Sequence, residues 1–85
     1  MTDRPEAAED LEVVETDDGL VIYQGSRDRV HHLNNTAAVV LELCDGQREV
    51  AAIAEEVAAL FALDRPPRAE VEACVQALAR EGLVH

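Results

Sequence analysis

The chain has 85 residues and a net charge of −11 at pH 7, because 18 Asp and Glu face only seven Arg and no Lys. Such a charge repels phosphate backbones and anionic lipids, which disfavours nucleic acid and membrane surfaces as partners. With no Trp, one Phe and one Tyr, the small core that this length allows can hardly enclose a large cofactor, so we expect surface recognition and no cofactor.

The first ten residues predict a disordered acidic tail. They contain no large aliphatic residue after Met1, so they cannot bury enough surface to offset the entropy lost on ordering. The start also lacks the basic and apolar parts of a signal peptide, and no stretch approaches the roughly 20 apolar residues of a membrane span. We therefore expect a cytoplasmic protein with a tail over residues 1–10 and one domain over residues 11–85.

Three short strands are predicted at the start of that domain. LEVVE (11–15) and LVIYQ (20–24) flank a turn that contains Gly19, and RDRVHHL (27–33) follows. A glycine in this turn can supply the positive φ that tight hairpins need. The pattern indicates an antiparallel three-stranded sheet.

The apolar period then changes from two to 3.6, which predicts three helices. Asn34 can cap the first helix, whose apolar stripe runs over residues 37–44, and Gly46 follows its end. The second helix carries its apolar stripe over residues 50–61, and the third lies within residues 67–82. The first turn of the third helix tolerates its proline because that position needs no N–H donor.

The third helix ends at Gly82 in a pattern typical of a Schellman motif. With Gly82 in the left-handed region, Leu83 can contact Leu78 one turn earlier. The predicted fold is therefore α+β, in the order β-β-β-α-α-α. This order has the outline of a winged helix-turn-helix.

No catalytic or metal-binding constellation is visible in the sequence. His31 and His32 are neighbours on a strand and point to opposite faces, so they cannot chelate one ion together. Cys44 and Cys74 match no metal spacing and are interpreted as small core thiols. Nucleophile and phosphate-binding motifs are also absent from the sequence, and we expect no enzyme.

A winged-helix DNA-binding transcription regulator is the alternative function. Its recognition helix would be the third helix, in which Arg68 and Arg80 are outnumbered by Glu70, Glu72 and Glu81. Such a helix can neutralise few phosphates, so the sequence does not favour this alternative.

The third predicted strand stands out because it is locally basic in an acidic chain. Residues 27–33 hold two Arg and two His against one Asp. If this strand lies at the edge of the sheet, it can accept another chain by strand addition; the alternative is an ordinary meander strand with exposed charge. The candidate docking residues are Arg27, Asp28, Arg29, Val30, His31, His32 and Leu33.

The run VHHLNNTAAVVLELCDG (30–46), followed by VAAIA (50–54) and LAREGL (78–83), resembles the PqqD-like peptide chaperones, also called RiPP recognition elements. The resemblance covers nearly all of residues 11–85. It implies a winged-helix-like fold that performs no chemistry and binds the leader segment of a ribosomally synthesised precursor peptide as a strand added to the third strand. The complex would then deliver the peptide to a modifying enzyme, either a radical SAM enzyme or a leader peptidase.

The resemblance also implies which helix residues form the wall of the peptide groove. Carried onto the third helix of this chain, they are Arg68, Val71, Glu72, Val75, Gln76 and Ala79. This chain departs from the family pattern at Asn35, where a proline is common, and at Glu49 and Ala52, where a capping box usually starts the second helix.

Overall fold

The computed structural model describes residues 4–85. The elements are β1 (Leu11–Thr16), β2 (Gly19–Gln24), β3 (Arg29–Asn34), α1 (Asn35–Leu43), α2 (Val50–Leu60) and α3 (Arg68–Arg80). The predicted order β-β-β-α-α-α is therefore confirmed. Within residues 4–85, none of the helices is long and apolar enough to cross a membrane.

The sheet is an antiparallel meander in the order β1-β2-β3, which places β3 at an edge. Strand β2 alternates, so Leu20 and Ile22 are buried while Tyr23 is exposed on the other face. All three helices contribute to the core that covers the Leu20 and Ile22 side. One face of the sheet is thus packed and the other is open.

A side-chain cap sets the start of α1 but not of α2, as the sequence predicts. The Asn34 side chain accepts a hydrogen bond of 2.9 Å from the backbone N–H of Ala37, which fixes the start of α1. Glu49 precedes α2 without a side-chain capping bond, so this helix lacks a capping box in the structure as it does in the sequence. Helix α2 is held instead by burial of Ile53 and Val57.

The end of α3 is the predicted Schellman motif. Gly82 has a φ of 77°, and its N–H donates to the Ala79 carbonyl at 3.0 Å. The N–H of Leu83 donates to the Leu78 carbonyl at 2.9 Å, and both leucines are buried. This pair of bonds satisfies the last carbonyls of the helix and turns the chain back into the core.

One side chain from the sheet bonds this helix end, and a second lies beside it. The Gln24 side chain is buried and donates a 2.9 Å hydrogen bond from Nε2 to the Gly82 carbonyl. The Arg27 guanidinium lies so close to Gly82 that a Cβ atom there would be 2.7 Å from its Cζ. Glycine is required here by its left-handed φ, whereas the exposed Arg27 side chain can move away from an added Cβ atom.

The third strand begins later than the sequence predicts. Arg27 belongs to a short 3-10 turn over Gly25–Arg27, and Asp28 follows with a left-handed φ of 50°. Aspartate tolerates this conformation, and its carboxylate also accepts a 3.1 Å hydrogen bond from the Tyr23 hydroxyl. The predicted strand over residues 27–33 is therefore wrong at Arg27 and Asp28, because a turn precedes β3.

The prediction of a disordered tail over residues 1–10 is wrong for the segment near Pro5. Pro5 is fully buried, and Glu6 and His85 exchange backbone N–H to O hydrogen bonds of 2.8 and 2.9 Å. The segment is short of apolar residues, but backbone groups at the far end of the chain supply partners that its own composition does not reveal. Residues 1–3 lie outside the described residues.

This pairing predicts slow amide exchange near the N-terminus. The amides of Ala7 and Ala8 donate to the carbonyls of Cys44 and Leu83 at 2.9 and 2.8 Å. We expect them to exchange at least about tenfold more slowly than in an unstructured peptide, as measured by NMR at pH 7. Exchange of these two amides at unstructured rates would contradict the pairing.

A second prediction concerns Gly19, where β2 begins. A Cβ atom there would lie 1.8 Å from the Leu33 carbonyl oxygen, so Gly19→Ala must separate β2 from β3 locally. We expect a loss of about 2 to 4 kcal/mol in the free energy of unfolding, measured by urea denaturation. Gly25→Ala is the matched control because a Cβ there meets only Tyr23, at 3.9 Å. Equal stability of the two variants would contradict this reading.

Candidate functional site

The free edge of β3 is the first component of the candidate site. One edge of β3 pairs with β2, where Arg29 lies opposite Gln24, His31 opposite Ile22 and Leu33 opposite Leu20. Across residues 4–85, no strand pairs with the other side of β3. Alternate backbone N–H and C=O groups on that side are available to an added strand.

A groove runs beside this edge, between β3 and α3. We call it the β3–α3 groove; its volume is about 430 Å³. Its lining residues are Arg29, Val30, His31, His32 and Leu33 from β3, Ala37 from α1, Cys74, Ala77 and Leu78 from α3, and Glu81 and Leu83, which follow α3. Cys74, Ala77, Leu78 and the C-cap Glu81 lie three or four residues from one another along the helix, so they form one side of it.

The side chains of β3 alternate between the groove and the open face of the sheet. His31 and Leu33 share a face with buried Ile22 and Leu20, and both are half-buried or more. Val30, which lies on the opposite face, is 56% exposed. His31 and Leu33 can therefore contact a ligand in the groove, whereas the Val30 side chain faces solvent.

Glu81 modifies the charge of the groove. Its Oε2 lies 3.5 Å from Arg29 Nη1 and 3.9 Å from His31 Nδ1. Arg29 and Glu81 are both about half exposed, so their ion pair contributes little stability. The local basic character that the sequence indicates for β3 is therefore partly compensated by Glu81, which caps the end of α3.

His31 also carries an unsatisfied polar atom. Its side chain is 11% exposed, and its buried Nε2 has no hydrogen-bond partner among residues 4–85. Buried polar atoms are usually paired. Because His31 lines the β3–α3 groove, a ligand in the groove is one source of the missing partner.

The helix residues predicted to form the groove wall do not line this groove. Val71 and Val75 are buried in the core, and Val71 also lines a separate pocket near Phe61. The other four are exposed: Arg68, Glu72, Gln76 and Ala79. Each helical residue turns about 100° from the last, so these four lie on the flank opposite Cys74 and Ala77. The predicted wall residues thus lie outside the lining of the β3–α3 groove, and their contact with a peptide stays a prediction.

Sequence reasoning missed Cys74, Ala77 and Glu81 as groove residues. Cys74 was interpreted as a core thiol, whereas it is half-buried and lines the groove. The available signal was the small size of Cys74 and Ala77, since small side chains leave room for another backbone beside a helix. Glu81 follows Cys74 by seven residues and Ala77 by four, so all three lie on the same flank of the helix.

The described residues offer no metal site and no activated thiol. Across residues 4–85, no three His, Cys, Asp or Glu side chains are grouped so that they could hold a metal ion. Burial raises the pKa of the Cys44 thiol to about 12, with smaller contributions from Cys74 and Asp45. Burial also raises the pKa of Cys74.

Comparisons with known proteins give one family and two similar structures. The family described as "Coenzyme PQQ synthesis protein D (PqqD)" matches residues 19–84. A solved structure of TbiB1 in complex with the TbiA(beta) leader peptide has a TM-score of 0.77 at 17% identity and covers 94% of each chain.

The second similar structure is a lasso peptide synthetase B1 complexed with the leader peptide. It has a TM-score of 0.76 at 22% identity, with 96% of this chain and 98% of that chain covered. Both structures share the fold of this chain, which confirms the predicted fold class. No curated protein matches the chain.

The two thiols give a prediction that reports on the groove. Because the raised pKa leaves Cys44 with about a thousandfold less thiolate than an ordinary cysteine, it should react with Ellman's reagent at pH 8 only after unfolding. Cys74 should react in the folded protein, but more slowly than free cysteine. Cys74→Ser is the control and should abolish the folded-state reaction. Fast labelling of both thiols would contradict the structure.

Proposed function

The chain belongs to the PqqD family, and on that premise we propose that it binds the leader segment of a ribosomally synthesised precursor peptide. The leader adds as an antiparallel strand to β3 and fills the β3–α3 groove. The domain performs no chemistry itself and delivers the peptide to a modifying enzyme, a radical SAM enzyme or a leader peptidase. The observation that carries the proposal is the free edge of β3 beside a groove.

The similar structures support this choice of ligand. Both TbiB1 and the lasso peptide synthetase B1 are in complex with a leader peptide, and both share the fold of this chain over nearly its full length. Strand addition needs an unpaired edge and room for alternate side chains. Strand β3 offers the unpaired edge, and the β3–α3 groove beside it offers the room for side chains.

In the proposed complex, the two sides of the added strand contact different surfaces. Its main chain pairs with β3, and every second side chain points into the groove above Leu33 and between Cys74 and Ala77. The remaining side chains point to the open face of the sheet, beside Val30. A main-chain or side-chain acceptor of the leader also supplies the partner that His31 Nε2 lacks.

The energetics allow a complex of useful but modest strength. A few main-chain hydrogen bonds contribute about 0.5 to 1.5 kcal/mol each, and an apolar side chain seated in the groove contributes about 1.5 to 3 kcal/mol. Ordering a flexible peptide costs about 2 to 5 kcal/mol of this gain. With about four such hydrogen bonds and two seated side chains, the upper ends of these ranges leave about 10 kcal/mol after the ordering cost, which corresponds to a sub-micromolar dissociation constant. Fewer contacts give a weaker complex. An acidic leader would compete with Glu81 for Arg29, which makes the affinity dependent on salt.

The DNA-binding alternative receives no support from the arrangement of charge. The only basic residues of α3 are Arg68 and Arg80, and the helix also carries Glu70 and Glu72, all four on its exposed surface. Close to the groove, Glu81 adds another carboxylate. A helix with this balance cannot supply the phosphate contacts on which such proteins depend for much of their affinity.

The central test blocks the groove with one bulky side chain. Ala77 lines the groove, so Ala77→Phe should fill the space of the leader and weaken binding at least about tenfold. The probe is the fluorescently labelled leader half of a short precursor encoded beside this chain, titrated by fluorescence anisotropy. Unfolding curves of each variant report whether the fold is intact.

The matched control is Ala79→Phe, two residues along the same helix. Ala79 is exposed and lies outside the groove, so this variant should bind the leader as the wild-type chain does. If Ala79→Phe weakens binding and Ala77→Phe does not, the leader occupies the flank that the resemblance implies rather than the β3–α3 groove. If no leader binds the wild-type chain, the proposed function is wrong.

A further inference from the structure

The open face of the sheet carries an apolar surface that peptide binding on the edge of β3 does not explain. We call it the outer sheet face, formed by Val14, Val21, Tyr23 and Val30. Val14 is 61% exposed, Val30 56% and Tyr23 40%. They are contiguous because Val14 lies opposite Val21, and Tyr23 opposite Val30.

Nothing in the described part of the chain covers this surface. The helices pack on the other side of the sheet, where Leu20 and Ile22 are buried. Strand β1 contributes the exposed Val14 to this face, although the solvent-facing positions of a meander are normally polar. A contiguous exposed apolar surface on a small soluble domain is typical of an interaction site.

The outer sheet face adjoins the proposed leader strand. Val30 and His32 belong to β3 and alternate with the groove-facing residues. A strand added to the edge of β3 therefore continues the outer sheet face by one strand, and its outward side chains lie next to Val30 and His32. In the complex, this face is made partly of protein and partly of leader.

The charge around this face restricts what can cover it. Glu12 lies opposite Tyr23 and Asp28 bonds its hydroxyl, so carboxylates stand at one end. Asp17 and Asp18 occupy the turn between β1 and β2 at the other end. A second copy would bring the same carboxylates and another charge of −11, which opposes face-to-face pairing. An apolar surface with Arg or Lys at its rim is complementary.

We propose that the outer sheet face is the docking surface for the peptide-modifying enzyme, which presents an apolar patch bordered by basic residues. This inference rests on the proposed function for the identity of the partner. Docked there, the enzyme contacts the Val14 to Val30 patch and the outward side chains of the leader together. The enzyme therefore binds the loaded domain more tightly than the empty one, and by linkage it tightens leader binding by the same factor.

The chain offers a matched pair of variants to test this surface. Val13 and Val14 are neighbours on β1, are 49% and 61% exposed, and point to opposite faces of the sheet. Val14→Asp places a carboxylate in the outer sheet face, and Val13→Asp places one on the other side. Val14→Thr, which keeps the β-branched shape, repeats the test if Val14→Asp lowers the stability of the fold.

The experiment measures binding of the purified modifying enzyme encoded beside this chain to the immobilised full-length domain, with and without the labelled leader half. We expect Val14→Asp to weaken enzyme binding at least about tenfold and Val13→Asp to leave it unchanged. Both variants should bind the leader as the wild-type domain does. Unchanged enzyme binding by Val14→Asp and Val14→Thr, or equal losses in Val13→Asp and Val14→Asp, would overturn the proposal.

Self-association and leader binding are measured separately, so that failures can be told apart. Sedimentation equilibrium of the wild-type domain should show a monomer; a dimer that Val14→Asp dissociates would assign the face to a second copy and overturn the proposal. If the leader fails to bind the wild-type domain, the proposed function is wrong. The Val13 and Val14 comparison with the enzyme alone then still decides whether this face is a docking surface.

Discussion

The pairing of β2 with β3 is the constraint on which the other features depend. Side chains alternate along a strand, so a shift of one residue in this register would exchange the groove face for the open face. Gly19 keeps the register by letting the Leu33 carbonyl approach where a Cβ atom would collide with it. With that register, His31 and Leu33 face the helices, and Val30 faces solvent. Both proposed binding surfaces follow from one set of backbone hydrogen bonds.

The sequence predicts those parts of the fold that local interactions decide. The Asn34 cap and the Gly82 ending each involve residues within one or two turns, and both were predicted correctly. The pairing of Pro5 and Glu6 with the end of the chain could not be predicted in this way, because its partners are distant in sequence. The turn at Asp28 was missed because a left-handed aspartate leaves only a weak signal in a short basic run.

The candidate site shows the same division between local and distant information. The edge strand was predicted from its place in the meander and its charge. The wall of the groove was not, because the hydrophobic period of α3 identifies Val71, Val75 and Leu78 as its core stripe but treats the two flanks of that stripe alike. The path of the chain from β3 through α1 to α3 decides which flank meets the sheet edge. The hydrophobic pattern of one helix carries no information about that path.

The hydrogen bond from Gln24 to the end of α3 affects how a ligand is recognised. It ties the end of β2 to Gly82, so the sheet and the helix are joined at one end of the groove. A groove held in this way is preorganised, so in the proposed complex the entropy lost on binding falls on the peptide rather than on the domain. Sequence changes in the peptide should then alter its residence time more than its rate of arrival. A small rigid receptor can in this way select among flexible ligands by how long each one stays.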